Sequence, residues 1–170
     1  PADVDKVADA GADGVDVFTY LSERQLRHVV DKSREEMLDA TVAAVDHARD
    51  RGLSVQVSLV DSFRTDLDVQ TDALERLADV PVVNLPDSVG ATTPLTVAER
   101  LEALGERVDL SRVGVHFHDD LGCAAANTLV AKEQGVAKAD VAVASLGERA
   151  GNTPLEQVVV GSTSDRGDDM

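Results

Sequence analysis

The sequence predicts an α/β protein in which parallel strands alternate with covering helices. Three observations carry that prediction. Short runs rich in Val and Leu recur along the 170 residues. Stretches with helix start and stop residues lie between them. The two kinds of segment alternate at roughly 30-residue intervals, the spacing of strand–helix units whose strands run parallel. The runs are apolar almost throughout rather than strictly alternating, as fits strands buried on both faces.

The elements follow in order. The segment "DVDKVADAGA" reads as a helix leading into the first strand, "GVDVFTY", around Val15. In "SREEMLDATVAAVDHARDRG", Ser33 as N-cap and Glu36 three residues on form a capping box, and Gly52 closes the helix. The second strand is "LSVQVSLV" around Val57, and "DALERLA" is a shorter helix. The third strand, "VPVVNL", surrounds Val82. Thr93 then caps a helix with Pro94 at its first position, where the missing N–H would be unpaired anyway. "RVGVHF" around Val115 is the fourth strand, and the Ala-rich helix after it stops at Gly135. "ADVAVASL" around Val143 is the fifth, and Thr153, Pro154 and Glu156 repeat the cap pattern for a last helix. Two architectures meet this alternation, a doubly wound open sheet and a (β/α)8 barrel. A barrel needs eight strands and about 200–250 residues, and this chain supplies five strands. No linker or second composition zone interrupts it. Residues 1–161 are therefore expected to form one domain and 162–170 a polar tail. The chain opens at Pro1 without Met and closes on "GSTSDRGDDM", so both ends are expected to be cuts.

The formal charge is −16, from 32 acids against 16 bases. Such a surface repels nucleic acid and anionic membranes, so neither is an expected partner. The acids are scattered, and only Lys6, Lys32, Lys132 and Lys138 are lysines. A pervasive carboxylate excess with few lysines predicts a halophilic protein, whose self-repulsion salt screens. Cys123 is the single cysteine, which points to a reducing compartment. With no signal-like opening and no apolar run near 18 residues, the expected location is cytoplasmic.

His116 and His118 stand two apart at the end of the fourth strand, so both point to one face. Strand C-terminal ends form the ligand side of parallel α/β folds. Two neutral imidazoles there suit a divalent metal; the plainer alternative is a strand-end pair bonded to its neighbours. In "SLGERAGNTPLE", Asn152 or Glu148 is placed to reach a metal on the adjacent strand, or the stretch is an ordinary turn with a Thr153 cap. Ser88, in "NLPDSVGATTP", offers a hydroxyl to a carboxylate or phosphate, against turn and capping chemistry. Arg64, in "VDSFRTDL", suits a carboxylate clamp or a charged surface loop. Cys123 reads as packing, His28 as a surface loop residue and His47 as a surface helix residue.

The stretch "HFHDDLGCAAAN", followed after one helix by "LGERAGNTPLE" and preceded by "LPDSVGATTP", resembles the 2-isopropylmalate, homocitrate and citramalate synthase family. Those enzymes are metal-dependent TIM barrels related to hydroxymethylglutaryl-CoA lyase. "SREE" and "DSFRTDL" also look like family stretches, the latter nearest to homocitrate synthase. The resemblance implies a partial TIM barrel, strands four to eight with their helices. It implies His116 and His118 as ligands of Mg, Mn or Zn, with Asn152 at or near the metal. Ser88 stands where the family has a Thr that holds the carboxylate of the 2-oxo acid. The implied reaction joins acetyl-CoA to that acid, with release of CoA, in leucine or lysine biosynthesis, by a homo-oligomer. The alternatives are a lyase or aldolase running C–C chemistry in reverse, and a non-catalytic truncated barrel. The family's first-strand Arg-Asp pair and its C-terminal catalytic His lie outside these residues. Val60 stands where homocitrate-type sequences carry an active-site Glu.

Overall fold

A computed structural model describes residues 2–164. The chain divides into two compact units, Pro1–Leu85 and Pro86–Met170. The first contains α1 (Ala2–Asp9), β1 (Gly14–Tyr20), a short α2 (Glu23–Gln25), α3 (Arg34–Asp50), β2 (Ser54–Val60), α4 (Leu67–Arg76) and most of β3 (Val82–Asp87). The second contains α5 (Pro94–Gly105), β4 (Val113–Phe117), α6 (Ala124–Glu133), β5 (Lys138–Asp140) and α7 (Leu155–Ser164). The expected polar tail begins inside α7, and its residues 165–170 lie outside the described residues.

The sheet order is sequential, β1-β2-β3-β4-β5. A doubly wound sheet reverses its order at a switch point, so the sequential order favours the barrel alternative. In the first unit, β1 runs parallel to β2 from Gly14↔Ser54 to Tyr20↔Val60, and β2 pairs β3 from Gln56↔Val82 to Ser58↔Asn84. In the second, β4 runs parallel to β5 from Gly114↔Lys138 to His116↔Asp140.

Helix α3 starts where its capping box requires. The Glu36 amide donates to the Ser33 hydroxyl at 3.2 Å, and the Ser33 amide donates to the Glu36 carboxylate at 2.9 Å. That amide, with the Ser33 hydroxyl, holds the Glu36 carboxyl below its usual range. Leu38, Thr41, Val45 and Ala48 form the buried stripe of α3. Thr41 and Thr19 of β1 satisfy each other's hydroxyls at 2.9 Å, so neither buried oxygen is stranded. In the second unit, Val97, Leu101 and Leu104 of α5 are buried, as are Val113, Val115 and Phe117 of β4. Each such side chain contributes about 1.5–3 kcal/mol by leaving water. Among the described residues no helix is long and apolar enough to cross a membrane.

Some local expectations change. The fifth strand is Lys138–Asp140, not a strand around Val143. Val143–Ser145 is a 3-10 turn in which Ala144 and Ser145 adopt φ of 53° and 58°. Thr153 does not cap α7. Its hydroxyl lies in the core against that of Thr128 at 3.0 Å, and Glu156 instead accepts the Ala144 amide at 2.8 Å. His28 sits in a π-helical turn, Leu26–Val30, rather than a loop. His47 is half-buried, 2.9 Å from Asp5.

Candidate metal centre

The second unit brings two imidazoles together. Val115 and Phe117 are fully buried, so the alternation of β4 sends His116, and His118 beyond it, to the opposite face. The Nε2 atoms of the two rings are 3.3 Å apart, with ring planes at 72°. At that distance either one nitrogen donates a proton to the other or both lone pairs face one cation. Two nitrogens at 2.0–2.1 Å from a tetrahedral metal lie about 3.3–3.4 Å apart, so the observed spacing fits a shared ion.

Neighbouring groups set the state of each ring. An Asp140 carboxylate oxygen lies 3.5 Å from His116 Nδ1, and Lys138 holds the other oxygen at 2.8 Å. That contact is an ion-pair distance rather than a hydrogen bond, so the carboxylate acts on His116 by its charge. Burial lowers the His118 pKa, and the nearby His116 and Arg149 act in the same direction. His118 is therefore neutral at pH 7, the form that ligates.

Asn152 is drawn beside His118 by an antiparallel bridge. The Asp119 amide donates to the Gly151 carbonyl at 2.8 Å, and the Thr153 amide to the Phe117 carbonyl at 3.1 Å. Gly151 has φ of 109°, and a Cβ there would overlap the Ser145 carbonyl, so no other residue passes this turn without displacing it. The Asn152 Oδ1 atom is buried and accepts no hydrogen bond from the described residues. Leaving such an acceptor unmet costs roughly 1–3 kcal/mol, which a cation would offset. The spacing of the two imidazole nitrogens suits a divalent metal, and the unmet Asn152 oxygen belongs to the residue bridged to His118. Among the described residues, no three His, Cys, Asp or Glu side chains gather as a metal site.

The remaining polar groups of this unit shape its loops. Asp119 accepts the Ala124 amide at 2.9 Å and so caps α6, which explains one acid after the histidines. Asp120 receives a two-pronged bond from Arg149, both at 2.8 Å, and Arg149 also donates to the Ser88 carbonyl at 3.2 Å. Ser88 is half-buried in the turn after β3, where Asp87 accepts the Thr92 amide at 2.8 Å. Cys123 is half-buried, its Sγ turned to the Leu121 carbonyl. Sequence reasoning missed Asp140 and Arg149, whose contacts with His116 and Asp120 join residues far apart in the chain.

His116, His118, Asn152 and Ser88 all belong to the second unit, and Arg64 to the first. There Arg64 grips the buried Asp61 at 2.7 and 3.0 Å, so the expected clamp holds a carboxylate of its own chain. Arg64 lines a cleft of about 340 Å³ with Arg24, Arg34 and Asp61. Val60 is half-buried opposite Tyr20.

Comparison with known proteins gives this arrangement a family. The chain is 39% identical over 160 residues to a probable 2-isopropylmalate synthase of Methanopyrus kandleri, covering 93% of this chain and 32% of that protein. It is 40% identical over 167 residues to the 2-isopropylmalate synthase of Bacillus pumilus, with the same two coverages. Homocitrate synthase AksA of M. kandleri is 40% identical over 162 residues, covering 93% of this chain and 40% of that one. The chain therefore spans about a third of the length of the first curated relatives it matches. Among solved structures, the HMG-CoA lyase of Bacillus subtilis superposes with a TM-score of 0.86 at 25% identity, covering 95% of this chain and 59% of the lyase. The fold is thus α/β, part of the TIM barrel of that lyase. The HMGL-like family model matches residues 1–165, and the chain belongs to that family.

Proposed function

We propose that this chain is the metal- and oxo-acid-holding part of an enzyme that condenses acetyl-CoA with a 2-oxo acid, as in 2-isopropylmalate and homocitrate synthesis. The observation that carries the proposal is the 3.3 Å Nε2 pair at a strand end, in a chain about 40% identical to synthases of both kinds. His116, His118 and Asn152 would hold Mg, Mn or Zn, which polarises the keto group of the oxo acid when bound. The Asp140 carboxylate lies beside His116, and burial keeps His118 uncharged. Ser88 donates its hydroxyl to the acid's carboxylate. In the reaction, the methyl carbon of acetyl-CoA loses a proton and bonds to the keto carbon, and water then cleaves the thioester to free CoA. We assign the base to none of these 170 residues. The complete enzyme is a cytoplasmic homo-oligomer serving leucine or lysine biosynthesis.

The test is thiol release by the chain completed with both the family's strands one to three and its C-terminal segment, supplied with acetyl-CoA and 2-oxoisovalerate, 2-oxoglutarate or pyruvate. At least one acid should support release with Mg, Mn or Zn; silence with all of them refutes the synthase reading. In that protein Ser88→Ala should raise the KM for the oxo acid about ten- to a hundredfold, as for one hydrogen bond to a charged group. The KM for acetyl-CoA should stay nearly constant, and a parallel rise in both would remove Ser88 from the acid's site. The lyase superposition favours a second reading, C–C cleavage of hydroxymethylglutaryl-CoA. Cleavage of that thioester in place of condensation would establish it.

The acid excess supports a halophilic origin. Unscreened carboxylate repulsion opposes folding in dilute buffer. The melting temperature should therefore climb steadily from millimolar to molar KCl, and a flat profile contradicts the halophilic assignment.

A further inference from the structure

Three loops of the second unit carry the groups assigned above. The turn after β3 carries Ser88, the turn after β4 follows His118, and the segment after β5 leads to Asn152. One side chain joins all three. Arg149, three residues before Asn152, sends Nε and one terminal nitrogen to the two oxygens of Asp120, both at 2.8 Å. That terminal nitrogen also donates to the Ser88 carbonyl at 3.2 Å. The other terminal nitrogen is 3.7 Å from Glu148. A planar guanidinium serves such a set of acceptors at fixed angles; a lysine ammonium does not.

Two backbone features show that the chain accommodates this junction at a cost. Arg149 has φ of 55°, a left-handed conformation that disfavours side chains with a Cβ. Gly90, two residues after Ser88, lies so close to Asp120 that a Cβ would overlap its carboxylate. Strain of this kind persists where surrounding contacts over-determine it.

We propose that Arg149 is a positioning residue that holds the Ser88, His118 and Asn152 loops in one arrangement around the two-histidine pair. The proposal rests on the metal-site reading of that pair. Freed of Arg149, the backbones on either side of the ligands gain alternative conformations, and the ligands must be ordered at the moment of binding. Partners outside the ligand set commonly change metal affinity about 10- to 100-fold.

The test uses the 170-residue chain, with Arg149→Gly and Arg149→Lys. Glycine suits the left-handed φ, so its variant folds without the local strain and isolates loss of the side chain. Lysine keeps the charge and loses the fork. Amide hydrogen exchange at residues 88–92 and 119–122 should accelerate in Arg149→Gly and less in Arg149→Lys, while Val113–Phe117 stays protected. Cobalt(II) affinity should fall about tenfold or more in Arg149→Gly, with an altered d–d spectrum, and recover in part with lysine. Unchanged loop exchange in Arg149→Gly overturns the proposal. So does faster exchange with an unchanged cobalt affinity and spectrum, which would make the junction merely structural. If the unsubstituted chain binds no cobalt, the metal-site reading fails and the positioning role falls with it. Loss of exchange protection would then establish only a loop brace.

Discussion

Replacing His116 by alanine is expected to abolish divalent-metal binding by the chain, lowering affinity on the order of a hundredfold or more, beyond the effect of outer partners alone. In the proposed site the two imidazoles are the strong donors, and the substitution removes one of them. His118 would remain, with its Nε2 facing empty space left by the ring 3.3 Å away. Calorimetric titration with zinc or cobalt(II) at pH 7.5 checks this, and equal affinity in the variant excludes the site. The pH dependence has a defined sign. Protonated imidazole does not ligate, so affinity falls with pH. Burial lowers the His118 pKa from 6.5, so this ring remains available at pH values where a free imidazole is already charged. The same shift bears on folding. The stability associated with neutral His118 is complete above the unfolded value of 6.5 and is lost as pH falls through the lowered one.

Phe117→Ala should be the most destabilising single truncation near the site, by about 3–5 kcal/mol. Phe117 is fully buried, and it heads the largest buried side chains among the described residues. Its carbonyl also receives the Thr153 amide at 3.1 Å, the bond that seats Asn152 beside His118. A cavity there would loosen the strand end from which both histidines project. A natural domain has a margin of only about 5–15 kcal/mol, so the variant should approach the threshold of folding. Urea denaturation should show a lower midpoint with an unchanged slope. Phe18→Ala is the control: Phe18 is 59% exposed in β1, so its truncation should be close to neutral in this chain. Similar losses in both variants would contradict the assignment of Phe117 to the core.

The elements most legible in the sequence were those fixed by local chemistry. The capping box of α3, Pro94 at the start of α5 and Gly135 after α6 are found where the pattern places them. The first four strands agree within about two residues, because an apolar run between turns leaves little freedom. The fifth did not. "ADVAVASL" alternates like a strand, yet the backbone leaves the sheet after Asp140 and turns left-handed at Ala144 and Ser145. Neither residue type announces that conformation as Gly or Asn would. Thr153 misled for a related reason: a Thr-Pro pair signals a cap, but the core captured the hydroxyl. The spacing of His116 and His118 revealed that they share a face. The Arg149–Asp120 fork spans 29 positions and has no local signature. The partner of Arg64 was three residues away and still unforeseen, because Asp61 is buried in a left-handed turn.

The register of β1 has a consequence for handling the chain. All seven residues from Gly14 to Tyr20 pair with β2 on one side. Among the described residues no strand lies on the other, where β1 ends the order. That border presents a row of amides and carbonyls ready to template a further strand from another molecule. "GVDVFTY" is rich in residues that favour aggregation, and its one charge, Asp16, is engaged by Gln56 and Ser58 at 2.8 Å. The gatekeeper is thus partly spent inside the sheet. Self-association should begin at this border as concentration rises, and a lysine in place of the exposed Phe18 should extend the soluble range.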